Sequence, residues 1–339
     1  MLPVSMIIPT LNRAAALMRV LRSTAAVVHP RDPVEIIVVD NGSTDRTPEV
    51  CNEIKVMYPQ HEWRYFYEPI PGLLSGRHRG AKEARGEILS YLDDDVLLSP
   101  SWLEGVTEAF VNPEVALVGG PSVPEFQVKP PEWLDNLWDE GNGRRTLFAL
   151  SLIDSGTAVR REDPLYVLGL NLSIRKSVFD RCGGFHPDCI PTALQRYQGD
   201  GETGLTLKVK AAGFHALYHP QVAVQHVIPA SRMTLESFER RGFYQGISDS
   251  YTQIRRDHGL PPAPQRTWMD LLRPAKRKLE RLLRRSAAQG VRRLMARSHF
   301  AGVQFHRNEV CNDPKLLDWV LRENYFDYRL PDGWAQYLD

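Results

Sequence analysis

Residues 88–95 read Ile88-Leu89-Ser90-Tyr91-Leu92-Asp93-Asp94-Asp95, an apolar run closed by three consecutive carboxylates. An anion at the end of a buried strand loses hydration and must find a cation, a proton or water. In extended geometry side chains alternate faces, so Asp93 and Asp95 are expected on one side and Asp94, as a spacer, on the other. Oxygen ligands offered in this way suit Mg2+ or Mn2+, which complete their shell with water and substrate phosphates. Solvated turn or helix-cap aspartates give the same pattern, because Asp is common where a strand gives way to a loop. Taken alone, the triplet leaves both readings open.

Working outward, residues 4–8 and 34–39 are short β-branched runs with the pattern of fully buried strands, and 14–28 between them is helix-compatible. The rhythm continues through a segment at 45–56, an aromatic strand at 63–67, a helix at 77–84, a strand at 87–92, a helix at 101–111 and a strand at 115–118. Strands alternating with helices predict an α/β fold with a mostly parallel sheet, and ligands beyond the carboxyl ends of its strands. Polar clusters at 10–12, 40–43 and 93–95 fall at such ends. Between 121 and 164 the periodicity fades into a proline-punctuated stretch, and loops of that length are usually functional or mobile. Regular signals return at 169–174, in a Cys-Gly-Gly-Phe turn at 182–185, in a helix at 202–212 and in strands at 216–218 and 222–226. The rest reads as helical at 234–256, 274–297 and 314–323, with a proline-rich break at 261–264.

A chain of 339 residues can bury one large α/β domain plus an appendage. Its formal net charge of +1 provides no global pull toward nucleic acid. Cys51, Cys182, Cys189 and Cys311 form no CxxC pair or zinc-ligand spacing, so free thiols in a reducing compartment are expected. No apolar stretch approaches the roughly 18 residues that span a bilayer, and the N-terminus lacks a basic region followed by an apolar core. A cytoplasmic location, soluble or peripheral to the membrane, follows as the expectation.

Taken in order, Pro9-Thr10-Leu11-Asn12-Arg13, Val38-Val39-Asp40-Asn41-Gly42-Ser43-Thr44-Asp45, the segment 72–80 and Leu92-Asp93-Asp94-Asp95 resemble the signatures of family 2 glycosyltransferases. The match extends to Gly183-Gly184-Phe185, to 202–213 and to His226, covering roughly two thirds of the chain. The resemblance implies the GT-A fold and inverting transfer of a sugar from a nucleotide-diphosphate donor, a UDP-sugar, with Mn2+ or Mg2+ as cofactor. It divides the chain into a catalytic domain over 1–230, with nucleotide-sugar binding at about 1–120 and the acceptor side at about 121–230, and a helical extension over 231–339.

Site residues follow position by position. Pro9, Thr10, Asn12 and Arg13 fall in the nucleotide-binding motif at the first strand end. Asp40 matches the position that binds the base, and could accept the imide N–H of uracil or simply form a turn before Asn41-Gly42. Arg77 stands where the family has Ala-Arg-Asn, here Gly76-Arg77-His78. At a helix N-terminus its guanidinium could reach the nucleotide, or remain a surface cation. The resemblance assigns Asp95 to direct metal ligation, Asp93 to ribose or water-mediated metal contact, Asp94 to the nucleotide side, and His226 to completion of the metal site. The family places its general base in a Glu-Asp pair at the start of the helix ending in Ala-Gly. Counting back from Ala212-Gly213, that register holds Gly201-Glu202, which makes Glu202 the base and Asp200, two residues earlier, the alternate.

Two other readings stay open at this level. Leu92-Asp93-Asp94-Asp95-Val96 also satisfies the pattern of haloacid dehalogenase-type phosphatases, with Asp93 as nucleophile. A non-catalytic nucleotide-sugar binding module is allowed by glutamate in place of aspartate at 202. The acceptor is unidentified: a glycan, a lipid-linked group or a small molecule. Between Arg273 and Arg297 ten basic residues face one acid, Glu280, with apolar residues at helical spacing. Such a helix could lie on an anionic membrane, cap the catalytic domain or present an ordinary solvated face. Trp133, Trp138, Trp268 and Trp334 are candidates for sugar stacking or for core packing.

Overall fold

A computed structural model describes residues 2–260, 287–326 and 330. Strands β1 (Val4–Thr10), β2 (Val34–Asp40) and β4 (Ile88–Leu92) are buried along their whole length, as continuous apolar runs require. With β3 (Glu62–Tyr67) they form a parallel block in which β1 lies between β2 and β4. Helices α1 (Ala14–Val27), α2 (Thr47–Met57) and α3 (Leu73–Glu83) make the crossovers, and α4 (Trp102–Ala109) follows β5 (Val96–Leu98). One core joins Met6, Ile8, Ile36 and Val38 of the strands to Leu17, Val20 and Leu21 of α1, Ile54 of α2 and Trp102 of α4. Each such side chain contributes about 1.5–3 kcal/mol through burial.

The chain divides into two compact units. The described residues of the first fall in Met1–Gln127, Asp139–Ile228 and Arg322–Asp339, and those of the second in Val128–Trp138 and Pro229–Leu321. The stretch 121–164, which shows no sequence periodicity, holds β7 (Ser122–Phe126), the one-turn helix α5 (Glu132–Asp135), β8 (Asp139–Gly141), β9 (Arg144–Leu147), β10 (Leu152–Asp154) and β11 (Arg160–Glu162). Strands of three to five residues are too short to display a period. After them come β12 (Asn171–Arg175), α6 (Lys176–Arg181), α7 (Glu202–Ala211), β13 (His215–Tyr218) and β14 (Val224–Ile228). With β6 (Val115–Gly119), the first unit carries an eight-stranded sheet ordered β11-β13-β6-β12-β4-β1-β2-β3 and a six-stranded sheet ordered β5-β14-β7-β10-β9-β8. The strand order reverses direction between β1 and β4, the kind of switch point where open α/β sheets bind ligands.

The second unit is built on α8 (Leu235–Arg256), α9 (Ala287–Asn312) and α10 (Pro314–Leu321). Thr234 caps α8 by accepting the Ser237 N–H at 3.1 Å. Helices α8 and α9 meet backbone to backbone: a Cβ at Gly246 would lie 2.0 Å from the His299 carbonyl oxygen. Gly246→Ala must force the pair apart, and is expected to lower unfolding free energy by about 1–3 kcal/mol in a denaturant titration. Trp133 packs edge-on against Phe238, 5.2 Å between ring centres, while Trp138 is half-buried. Of the predicted basic helix 274–297, residues 287–297 belong to α9. Its earlier part, the proline-rich break, Trp268 and Trp334 lie outside the described residues. Among the described residues no helix is long and apolar enough to cross a membrane.

Candidate active site

The parallel register pairs Ile7 with Tyr91, so three residues on, Thr10 comes level with Asp94. Thr10 Oγ1 donates to Asp94 Oδ2 at 2.8 Å. Past Leu92 the chain turns instead of continuing extended, and the expected alternation of faces ends there. Asp94 and Asp95, rather than Asp93 and Asp95, meet one cation: Arg13 Nη1 stands 2.5 Å from Asp94 Oδ1 and 2.9 Å from Asp95 Oδ2. Asp93 instead faces Arg77, with Nη2 to Oδ1 at 3.1 Å. Burial pushes the Asp94 carboxyl up to about 6 and Asp95 adds to the rise, while Arg13 and Thr10 oppose it. Asp94 is therefore no spacer; it anchors both the end of β1 and Arg13. On Arg13 burial works against the charge, but the two carboxylates outweigh it and hold the guanidinium protonated.

Asp40 ends β2 level with Thr10. Its Oδ1 accepts the Ser43 N–H and its Oδ2 the Tyr65 hydroxyl, each at 2.7 Å. Tyr65 is missed by motif reading because it arrives from the neighbouring strand, two positions before Tyr67, the register partner of Asp40. Burial, then Asp40, holds the Tyr65 phenol above its ordinary value. Tyr65→Phe leaves a buried carboxylate short of a donor, and a loss of about 1–3 kcal/mol in stability is expected, read as a lowered Tm. Pro9 lies within β1, and Asn12, at φ 54°, accepts the Thr44 N–H at 2.7 Å, closing the loop beside Asp40.

Arg77 is buried on α3. Besides Asp93, its Nη1 lies 3.8 Å from Glu202 Oε2, and its guanidinium sits 4.9 Å from the centre of the Phe185 ring. Burial opposes this charge too, and Asp93, Glu202 and Asp188 overcome it. His78, beside it, points elsewhere: its Nε2 accepts the Phe185 N–H at 2.9 Å among the rings of Phe179, Phe185 and Phe326. Burial pushes His78 down to about 3, so it is a neutral core residue.

The two candidate base residues stand in different surroundings. Glu202 opens α7, accepts the Gly169 N–H at 3.4 Å, and keeps its side chain 31% exposed. Asp200 is 1% exposed and lies 2.7 Å from His186 Nδ1. His226 reaches the triplet because β14 pairs antiparallel with β5, His226 opposite Val96, which brings its Nε2 to 3.4 Å from Asp95 Oδ1. Asp95 and His226 offer one carboxylate and one imidazole. Among the described residues no group of three or more His, Cys, Asp or Glu is placed to hold a metal. A two-residue set fits an ion that draws its remaining ligands from water and phosphate oxygens.

Comparison with known proteins bears on this geometry. The family model described as "Glycosyl transferase family 2" matches residues 5–181. The chain is 24% identical over 226 residues to the glucosyl-dolichyl phosphate glucuronosyltransferase of Haloferax volcanii, an alignment covering 64% of this chain and 66% of that one. Glycosyltransferase AglE of the same organism is 33% identical over 117 residues, 34% of this chain and 38% of AglE, so the chain spans less than two thirds of either relative. Succinoglycan biosynthesis protein ExoM of Rhizobium meliloti is 25% identical over 261 residues, 74% of this chain and 75% of ExoM. Among solved structures, the mannosyltransferase PcManGT of Pyrobaculum calidifontis, in complex with GDP-Man and Mn2+, shares the fold with a TM-score of 0.55 at 18% identity, over 94% of this chain and 85% of that one. With a family model matching more than half of its 339 residues, the chain belongs to glycosyl transferase family 2 and has the GT-A fold.

Proposed function

We propose that the protein transfers a sugar from a UDP-sugar to an acceptor with inversion, using Mn2+ or Mg2+ on the diphosphate and Glu202 as general base. The observation that carries this is Arg77: its guanidinium lies 3.1 Å from Asp93 on the donor side and 3.8 Å from Glu202 on the acceptor side. In this mechanism Pro9, Thr10, Asn12 and Asp40 hold the base, Asp93 the ribose, and Asp94 aims Arg13 at the diphosphate. A carboxylate has about four acceptor positions. Ser43 and Tyr65 take two at Asp40, which leaves acceptor capacity for the uracil imide.

Asp95 and His226 would hold the metal, which supplies Lewis-acid neutralisation of the departing diphosphate. Glu202 takes the proton of the acceptor hydroxyl as that oxygen bonds to the anomeric carbon and the bond from carbon to the phosphate oxygen breaks on the opposite face. The name of the Haloferax relative favours a lipid-linked acceptor among the classes considered. The basic segment 273–297 suits the anionic surface where such a lipid resides.

Thermal unfolding with UDP, GDP and their sugar conjugates, with and without Mn2+, tests the proposal. A rise in Tm with UDP that requires metal is expected, since a ligand at 100 times its Kd stabilises by about 2.7 kcal/mol. A response to GDP alone would replace the base assignment, and no response to any nucleotide would overturn the proposal.

A further inference from the structure

Asp200 and His186 form a buried polar pair in the first unit, with side chains 1% and 2% exposed. Backbone bonds knit the same place together: His186 N–H to the Gly201 carbonyl at 3.1 Å, Gly199 N–H to the Pro187 carbonyl at 2.9 Å, and Thr203 N–H to the Asp200 carbonyl at 3.0 Å. These bonds enclose the turn 199–202, from which α7 starts with Glu202. The His186 ring fits because position 204 has no side chain; a Cβ there would lie 1.9 Å from Nδ1. Tyr325 packs behind the ring, fully buried, 5.1 Å between ring centres. Its N–H donates to the Gly183 carbonyl at 3.1 Å. The same returning segment holds α7 directly, since Lys208 Nζ donates to the Glu323 carbonyl.

We infer that His186 and Asp200, backed by Tyr325, are positioning residues that set the direction of Glu202. The inference rests on Glu202 being the base. Glu202 is the first residue of α7, directly after Gly201 of the turn 199–202, so the direction of its side chain follows the backbone of that turn. The 2.7 Å bond between His186 Nδ1 and Asp200 Oδ1 is directional and fixes such a turn in one arrangement, where apolar side chains of equal volume would only fill the space. The acid that sequence counting offers as an alternate base thus serves the base instead of replacing it.

Steady-state kinetics with one donor and acceptor on five variants provides the test. His186→Asn keeps an N–H where Nδ1 stands, and Asp200→Asn keeps an acceptor oxygen but cannot take a proton at neutral pH. Both are expected to hold kcat within about 5-fold of the parent. His186→Leu removes the polar bond and is expected to lower kcat about 100-fold, the effect of displacing a reacting group by about 1 Å. Its donor KM and nucleotide-induced Tm shift should stay within about 2-fold, a split that general unfolding does not produce. If His186→Leu does not fold, Tyr325→Leu retains the pair, loosens its support, and is expected to lower kcat alone. Asp200→Asn losing all turnover, or His186→Leu keeping full kcat, overturns the inference. Glu202→Gln measured alongside separates the failures, because full kcat in that variant removes the base assignment itself.

Discussion

Glu202→Gln is expected to lower kcat by about 10²–10⁴-fold, the usual contribution of a positioned general base. Glutamine matches glutamate in length and can still accept the Gly169 N–H through its carbonyl oxygen, so the start of α7 should keep its place. What it loses is the capacity to take a proton. Donor KM and the Tm rise with nucleotide are expected within about 3-fold of the parent, because Asp93 and Arg77 remain paired at 3.1 Å. Initial rates over a range of donor and acceptor concentrations read both quantities. Unchanged kcat would place the base elsewhere. Turnover in the parent that disappears in this variant would exclude a binding module without catalysis.

Asp95→Asn is expected to weaken Mn2+ binding by more than the ~10–100-fold typical of outer-shell metal partners, because it removes a charged donor oxygen itself. Free and bound Mn2+ can be separated by electron paramagnetic resonance in the presence of UDP. Asp94→Asn should cost less, since both Asp94 oxygens are already engaged by Thr10 and Arg13 and neither faces His226. Equal affinities in the parent and Asp95→Asn would remove Asp95 from the metal assignment. Arg13 adds a second readout. With Asp95 neutralised it keeps one carboxylate partner instead of two, so the Tm rise with UDP, which requires metal in the parent, should depend less on metal in Asp95→Asn.

The parallel half of the sheet was legible because β1, β2 and β4 are apolar on both faces and end abruptly in polar residues. The order of motifs, read as a resemblance, named residues that come together at one end of that sheet, and family membership displaces the phosphatase reading of residues 92–96. Side-chain directions within the triplet were not legible. They depend on a turn after Leu92 and on Thr10 and Arg13, partners far away in sequence. His226 needed the pairing of β5 with β14, which no local pattern announces. Strands β8–β11 are too short to carry a period. Tyr65, His186 and Tyr325 are ordinary core aromatics until their neighbours are known.

The return of residues 322–326 to the first unit also orders events during synthesis. At ~5–20 residues per second the ribosome adds Tyr325 on the order of ten seconds after Ile228. Throughout that interval the sheets can assemble, yet the Gly183 carbonyl lacks the Tyr325 N–H and the His78 and Phe179 rings lack Phe326. The nascent first unit passes through a stage in which these groups are uncovered, and its full packing waits on residues 322–326.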